Sequence, residues 1–247
     1  LHDKESVKET IKFDSESVCD ACRFTERKRN TIDWHARREE LKELARRFES
    51  LPGPYNCLVP GSGGKDSFYQ AHILKYEFGF RPLTVTWAPH MYTDWGWRNH
   101  QAWIGAGFDN VLIAPNRQIH RLLTRLAVDN LFHPFQPFIV GQKGLAPKVA
   151  SQYKIPLIFY GENEAEYGNP IADNSSSLRD KAYWTASNLD ELYLAGVSLK
   201  KLRDIHNLTL KDLYNFIPAV DKEFDKVDLQ IHYLGYYLRW TPQEAYY

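Results

Sequence analysis

Methionine and cysteine are scarce in this sequence, with one methionine (Met91) and three cysteines in 247 residues. Three thiols cannot build a disulfide framework, so a reducing compartment, the cytoplasm, is the expectation. Charge of one sign is not in excess either: 31 Lys+Arg face 31 Asp+Glu. That balance removes the basic surplus typical of nucleic-acid binders, and no nucleic-acid partner is expected. No apolar run approaches the roughly 18–20 residues of a membrane helix, and no signal-peptide pattern opens the chain, so no membrane association is expected. The sequence opens on Leu1 rather than a methionine, which suggests that residues precede it. What remains is 43% hydrophobic and 25% charged, the composition of a globular protein with one large domain, or one domain and a small appendage.

The first stretch is polar and carries Cys19-Asp20-Ala21-Cys22 without clear periodicity. Asp33 then suits a helix N-cap, and Trp34, Leu41, Leu44 and Phe48 form an apolar stripe that ends at Leu51-Pro52-Gly53-Pro54. Residues 1–54 are therefore expected to be an accessory N-terminal segment, and 55–247 the main domain. The basic groups Arg27-Lys28-Arg29 and Arg37-Arg38 are interleaved with acids, as on a solvated face.

From Tyr55 strands and helices alternate. Strands are expected at 57–59, 82–87, 111–114 and 156–160, and an aromatic-rich fifth at 231–240. Helices are expected at 67–78, 94–106, 117–131 and 146–153, with short ones at 189–194, 199–206 and 210–216. Such alternation implies βαβ crossovers, and so an α/β fold with a parallel five-stranded sheet and helices on both faces.

Ser62-Gly63-Gly64-Lys65-Asp66-Ser67 lies directly between the first strand and its helix. Glycines let the backbone turn tightly and approach a ligand closely, and the free N–H groups at a helix N-terminus favour an anion. Ser62 and Ser67 add hydroxyls and Lys65 a point charge. Asp66 is the informative residue: a carboxylate beside a phosphate cradle repels the ligand unless a cation intervenes, which points to ATP with Mg²⁺. A Walker A loop is excluded, because Val59 stands where its first glycine belongs and Asp66 follows Lys65. The dinucleotide fingerprint fails because Asp66 occupies its third glycine position. A Gly-x-Ser-x-Gly nucleophile elbow is also lacking.

Ser62–Ser67 matches the SGGxDS signature of the PP-loop ATP pyrophosphatases, whose fold is adenine nucleotide alpha hydrolase-like. The strings Asp14 with Val18-Cys19-Asp20-Ala21-Cys22, Ile32-Asp33-Trp34, Thr93-Asp94-Trp95-Gly96-Trp97-Arg98-Asn99, Gln136-Pro137-Phe138, Gly141-Gln142-Lys143 and Gly161-Glu162-Asn163 follow in order. With Tyr237-Leu238-Arg239-Trp240, they make the chain resemble the N-acetyl sugar amidotransferases of bacterial surface-polysaccharide biosynthesis, including lipopolysaccharide O-antigen and nonulosonic acid pathways. Family members usually carry a further Cys-x-x-Cys upstream and continue past position 247.

The resemblance implies AMP transfer to the acetamido oxygen of a nucleotide-activated N-acetyl sugar, then displacement by ammonia to give an acetamidino sugar. The signature loop is expected to bind ATP through Ser62–Ser67, with catalytic roles for Lys65 and Asp66 and, after the fourth strand, for Glu162; Thr86 and Trp87, at the end of the second strand, are expected near adenine. Ligands of an open parallel sheet sit beyond the carboxyl ends of its strands, so Glu162, Asn163 and Glu166 should face nucleotide and sugar. Asn99, Gln142 and Lys143 are further substrate or phosphate candidates. A cap at Glu162, core packing at Thr86 and Trp87, and a structural role for Arg239 and Trp240 are the plainer alternatives. Cys19 and Cys22 are half of a tetrahedral site, which the resemblance would complete as structural Zn²⁺ from upstream thiols; two free surface thiols are the alternative. No glutaminase motif is visible and Cys57 falls in a buried strand, so ammonia is expected from a separate glutaminase subunit. Two other functions fit the signature loop: a tRNA-modifying PP-loop enzyme, and a non-catalytic nucleotide-binding subunit docking a glutaminase.

Overall fold

The computed structural model describes residues 11–161, 176–179, 184–186, 188–220, 224, 227–241 and 243. Two helices come first, α1 (Asp20–Asn30) and α2 (Trp34–Glu49). Strand–helix alternation follows as β1 (Cys57–Pro60), α3 (Lys65–Tyr76), β2 (Pro82–Trp87), α4 (Asp94–Gly105), β3 (Asn110–Ile113), α5 (Arg117–Leu131), α6 (Gln136–Tyr153) and β4 (Leu157–Tyr160). The remainder holds short elements: β5 (Thr185–Ala186), β6 (Tyr193–Leu194), β7 (Val197–Ser198), α7 (Leu199–His206), α8 (Leu210–Leu213), β8 (Ala219–Val220), β9 (Gln230–Tyr233) and α9 (Leu234–Tyr237).

Five strands form one sheet in the order β3-β2-β1-β4-β9, and every pairing in it is parallel. Alternate residues of these buried strands face opposite cores. Leu58, Val85 and Trp87 pack with Ile119 and Leu123 of α5 and Val140, Leu145 and Val149 of α6. Cys57, Val59 and Phe159 pack on the other face with Leu41 and Leu44 of α2, Ala71 and Leu74 of α3, Trp103 of α4 and Leu234 of α9. The α/β fold with helices on both faces of a five-stranded parallel sheet is thus what the alternation predicts.

Several elements differ from the sequence expectation. The stretch around Cys19 is helical: Cys19 caps α1, its Sγ accepting from the Cys22 N–H at 3.4 Å. The helical period is hidden there because the inward-facing residues are Phe24 and a lysine, Lys28. Helix α6 starts ten residues before the expected 146, at Gln136, and contains Gly141, Gly144 and Pro147. Pro137 is tolerated in its first turn, where an N–H has no helical partner. The expected strand 231–240 splits into β9 and the short helix α9, as the Gly235 N–H turns to donate to the Gly161 carbonyl at 2.8 Å. Within the expected helix 189–194 lie a 3₁₀ turn at Leu189–Glu191 and the first strand of the β6–β7 hairpin.

The basic groups near the start are not uniformly solvated. Lys28 is 8% exposed and its Nζ donates to the Trp240 carbonyl at 3.1 Å. Arg37 donates to the Tyr236 carbonyl at 3.1 Å and lies 4.0 Å above the Tyr236 ring. These contacts tie α1 and α2 to the segment after β9. Such long cations bury their stems and make directed bonds with their heads, which a charge pattern alone does not reveal.

Candidate active site

Strand β1 and helix α3 present the signature loop at the carboxyl edge of the sheet, beside the point between β1 and β4 where strand order reverses. Each glycine has a local cause. Gly63 has φ +84°, and a Cβ there would lie 2.8 Å from the Asn99 carbonyl oxygen and 2.9 Å from the His100 Cα. A Cβ on Gly61 would overlap Ser67 and lie 2.7 Å from the Trp103 ring. The loop is therefore seated on α4 by close backbone approach.

Gly64 is the N-cap of α3 and no side chain caps that first turn. The Ser67 hydroxyl donates to the Gly64 carbonyl at 3.0 Å, which leaves its own oxygen as an acceptor. Lys65 Nζ lies 2.5 Å from Asp66 Oδ1, with the side chains 41% and 33% exposed. A pair so exposed adds little to stability. Its place at an uncapped helix N-terminus, beside a glycine turn, matters more: it offers a cation for phosphate and a carboxylate for a metal ion. Asp66, with the Ser62 and Ser67 hydroxyls beside it, is a hard oxygen donor set suited to Mg²⁺ carried by a nucleotide.

A cavity of about 440 Å³ opens over this loop. Ligand pockets run from roughly 300 to 1,000 Å³. Ser62, Gly64, Asp66 and Ser67 line it, together with Trp87, Gln142 and Lys143. Trp87 and Thr86, expected together near adenine, part company. Trp87 lines the cavity, whereas Thr86 is buried and its hydroxyl accepts from the Asn110 amide at 3.0 Å. Asn99 meets the loop through its backbone, and its exposed side chain does not line the cavity. Glu162, Asn163 and Glu166 lie outside the described residues.

The string Gly141-Gln142-Lys143 has a packing cause. A Cβ on Gly141 would penetrate the Trp87 ring, and one on Gly144 would lie 2.9 Å from the Ile217 carbonyl oxygen. Glycine at 141 lets α6 lie against Trp87 and brings Gln142 and Lys143 to the rim.

Two polar lining residues, Arg179 and Gln70, were not anticipated. Arg179 stacks over Tyr160 at 5.1 Å and Tyr233 at 5.5 Å, adding a cation to the wall. Gln70, buried on α3, donates to the Phe159 carbonyl. A polar residue on the same helical stripe as Ala71 and Leu74 is the sequence signal for Gln70. Arg179 gives no comparable signal, because the backbone bonds joining Leu178 and Arg179 to β9 bring it to the site.

Cys57 is fully buried, and burial pushes its thiol well above the ordinary range, so it is not a thiolate nucleophile. The Cys19 thiol is pulled down, chiefly by the backbone N–H of Cys22, and Cys22 is pushed up by Cys19. Among the described residues no group of three or more His, Cys, Asp or Glu could hold a metal ion. These two thiols do not make a zinc site by themselves. No helix among the described residues is long and apolar enough to cross a membrane.

No protein-family model and no curated protein matches the chain. Among solved structures it is similar to the NH3-dependent NAD synthetase of Campylobacter jejuni, at 13% identity and TM-score 0.40, over 55% of this chain and 59% of that one. It is also similar to the U34-tRNA thiolase of Methanococcus maripaludis, at 14% identity and TM-score 0.32, over 51% of this chain and 45% of that one. The chain thus spans less than two thirds of either protein. At these identities and TM-scores the likeness assigns neither substrate nor activity to this chain.

Proposed function

We propose that the protein is an ATP-dependent adenylating enzyme of the PP-loop type, acting as an amidotransferase on a nucleotide-activated N-acetyl sugar. The observation that carries the ATP reading is the uncapped N-terminus of α3, preceded by a glycine turn and flanked by Lys65 and Asp66, beneath a cavity at the strand-order reversal. The sugar and the amidine product rest on the resemblance of the ordered sequence strings.

An amide carbon is a poor electrophile because its oxygen leaves poorly. In the proposed reaction the acetamido oxygen attacks the α-phosphorus of ATP, the bond to the β-phosphate breaks, and pyrophosphate departs. Ammonia then adds to the imidate carbon, AMP leaves with the carbon–oxygen electron pair, and loss of a proton gives the amidine. Mg²⁺ brought with ATP would supply charge neutralisation at the phosphates. Lys65 and the N–H groups that open α3 would hold the departing pyrophosphate. Walls formed by Trp87 and Tyr160 would limit water, whose attack would only regenerate the amide. Ammonia is assigned to a glutaminase partner, since Cys57 is buried and its thiol is held protonated.

Asp66→Ala is expected to lower ATP- and ammonia-dependent amidine formation by about a hundredfold or more while leaving the melting temperature within a few degrees. Mass spectrometry of nucleotide-sugars incubated with ATP, Mg²⁺ and ammonia would detect the product, about 1 Da lighter. Wild-type turnover in that variant would defeat the mechanism. Activity that requires tRNA and vanishes with RNase would instead establish the tRNA-modifying alternative.

A further inference from the structure

A second cavity, of about 490 Å³, lies beyond the carboxyl ends of β2 and β3 against the first half of α5. Its charged lining is of one sign. Arg117, Arg121 and Arg125 recur every four residues and so share one helix face, while no Asp or Glu lines the cavity. Among the described residues, none of the three arginines forms an ion pair. In a chain of zero net charge, three unneutralised guanidinium groups around one hollow need a cause. The start of α5 does not supply it, because Asn116 Oδ1 already caps that end by accepting from the Gln118 N–H at 2.9 Å.

The second, independent observation is His120. It lines the same cavity, is 3% exposed, and its Nε2 is buried without a hydrogen-bond partner among the described residues. An unsatisfied buried nitrogen costs free energy that a bound ligand would recover. His120 is held between rings, with its centroid 3.8 Å from that of His90 and 6.1 Å from that of Trp87. Trp87 lines the cavity over the signature loop, so the Trp87–His120 ring contact links the linings of the two hollows.

We propose that the Arg117–Arg121–Arg125 cavity binds the diphosphate of a small acceptor substrate, separately from the ATP held at the signature loop. Guanidinium groups form paired, directed hydrogen bonds to phosphate oxygens, and three of them match the charge of a diphosphate. Neighbouring strands lie about 4.8 Å apart, so this cavity, one to two strands from β1, is offset from the loop by roughly 5–10 Å along the sheet. A ligand anchored here could extend its reacting end past Trp87 to the ATP, spending the energy of a remote handle on positioning. The assignment to the acceptor rests on the adenylating function proposed above; the presence of a diphosphate site does not.

The test is calorimetric titration of UDP into the full chain, first alone and then saturated with Mg²⁺ and a non-hydrolysable ATP analogue. UDP binding is expected to persist with the analogue bound, and to weaken by about tenfold or more in Arg121→Ala and in Arg125→Ala. Those variants should bind the analogue as the wild type does, and Arg121→Lys should recover part of the loss. Lys65→Ala should weaken the analogue and leave UDP unchanged. Loss of UDP binding once the analogue is present, or wild-type UDP affinity in both arginine-to-alanine variants, would overturn the proposal. Binding of tRNA but not UDP, lost in the same variants, would overturn it in favour of a polynucleotide. A chain that binds UDP through these arginines but fails to bind the ATP analogue would defeat the adenylating function alone.

Discussion

Gly63 shows how one residue can join backbone conformation to chemistry. Its φ of +84° is disfavoured for any residue with a Cβ, and the space beside it is filled by the Asn99 carbonyl and His100. Strain of about 1–2 kcal/mol arises from the dihedral alone, before any clash with backbone atoms that cannot rotate away. Gly63→Ala is therefore expected to weaken ATP binding by at least about tenfold and to lower the melting temperature, as titration and thermal denaturation would show. Gly64 provides the contrast: its φ is ordinary and a Cβ would meet only the Ser62 hydroxyl at 3.6 Å. The two adjacent glycines look alike in the sequence, and only the neighbouring helix separates their roles. Thr86 and Trp87 differ in the same way, since opposite pleat faces send one to Asn110 and the other to the cavity.

At the scale of elements, the strands and helices around the loop were legible because buried parallel strands are continuous apolar runs and their helices carry apolar stripes. Helix α6 was only half legible: Pro137, Gly141, Gly144 and Pro147 are ordinarily punctuation. Here the glycines admit Trp87 and the Ile217 carbonyl, so tertiary contact overrides propensity. The arginine-lined face of α5 was missed because its arginines occupy the polar side of an unremarkable amphipathic helix, and only the strand ends turn that side into a hollow. Helix α2 allows a test of how the first residues relate to the rest. Leu41 is fully buried in the core shared by β1, β4 and α3. Leu41→Ala is expected to destabilise the whole chain by about 2–5 kcal/mol in urea denaturation followed by circular dichroism. An appendage folding by itself would leave the main transition unmoved.

For the whole molecule, two histidines set an acid limit. Burial first, then the Arg47 charge, pulls His232 down to about 4. Burial, then His90, pulls His120 down to about 4 as well. An unfolded histidine titrates near 6.5, so the unfolded chain takes up these protons first as pH falls. Both histidines therefore contribute stability that is complete above about pH 6.5 and is lost progressively down to about pH 4. Urea midpoints should fall between pH 7 and pH 5, with His232 accounting for about 2 kcal/mol. His232→Phe should flatten that dependence; a midpoint equally pH-sensitive in the variant would remove His232 as its source. The window lies above that of the carboxylates, since the resolved Asp and Glu shifts, at Asp14, Glu39 and Asp212, are all downward.

The bond from Lys28 to the Trp240 carbonyl spans 212 positions, and Arg37 reaches Tyr236 across 199. A ribosome adds about 5–20 residues per second, so about 10–40 s separate the appearance of these partners during synthesis. Through that interval α1 and α2 have emerged while the segment that covers them has not. Leu41 and Leu44 are then without part of their final cover, and a nascent chain stalled before residue 236 would present an apolar helix face to chaperones and to other nascent chains.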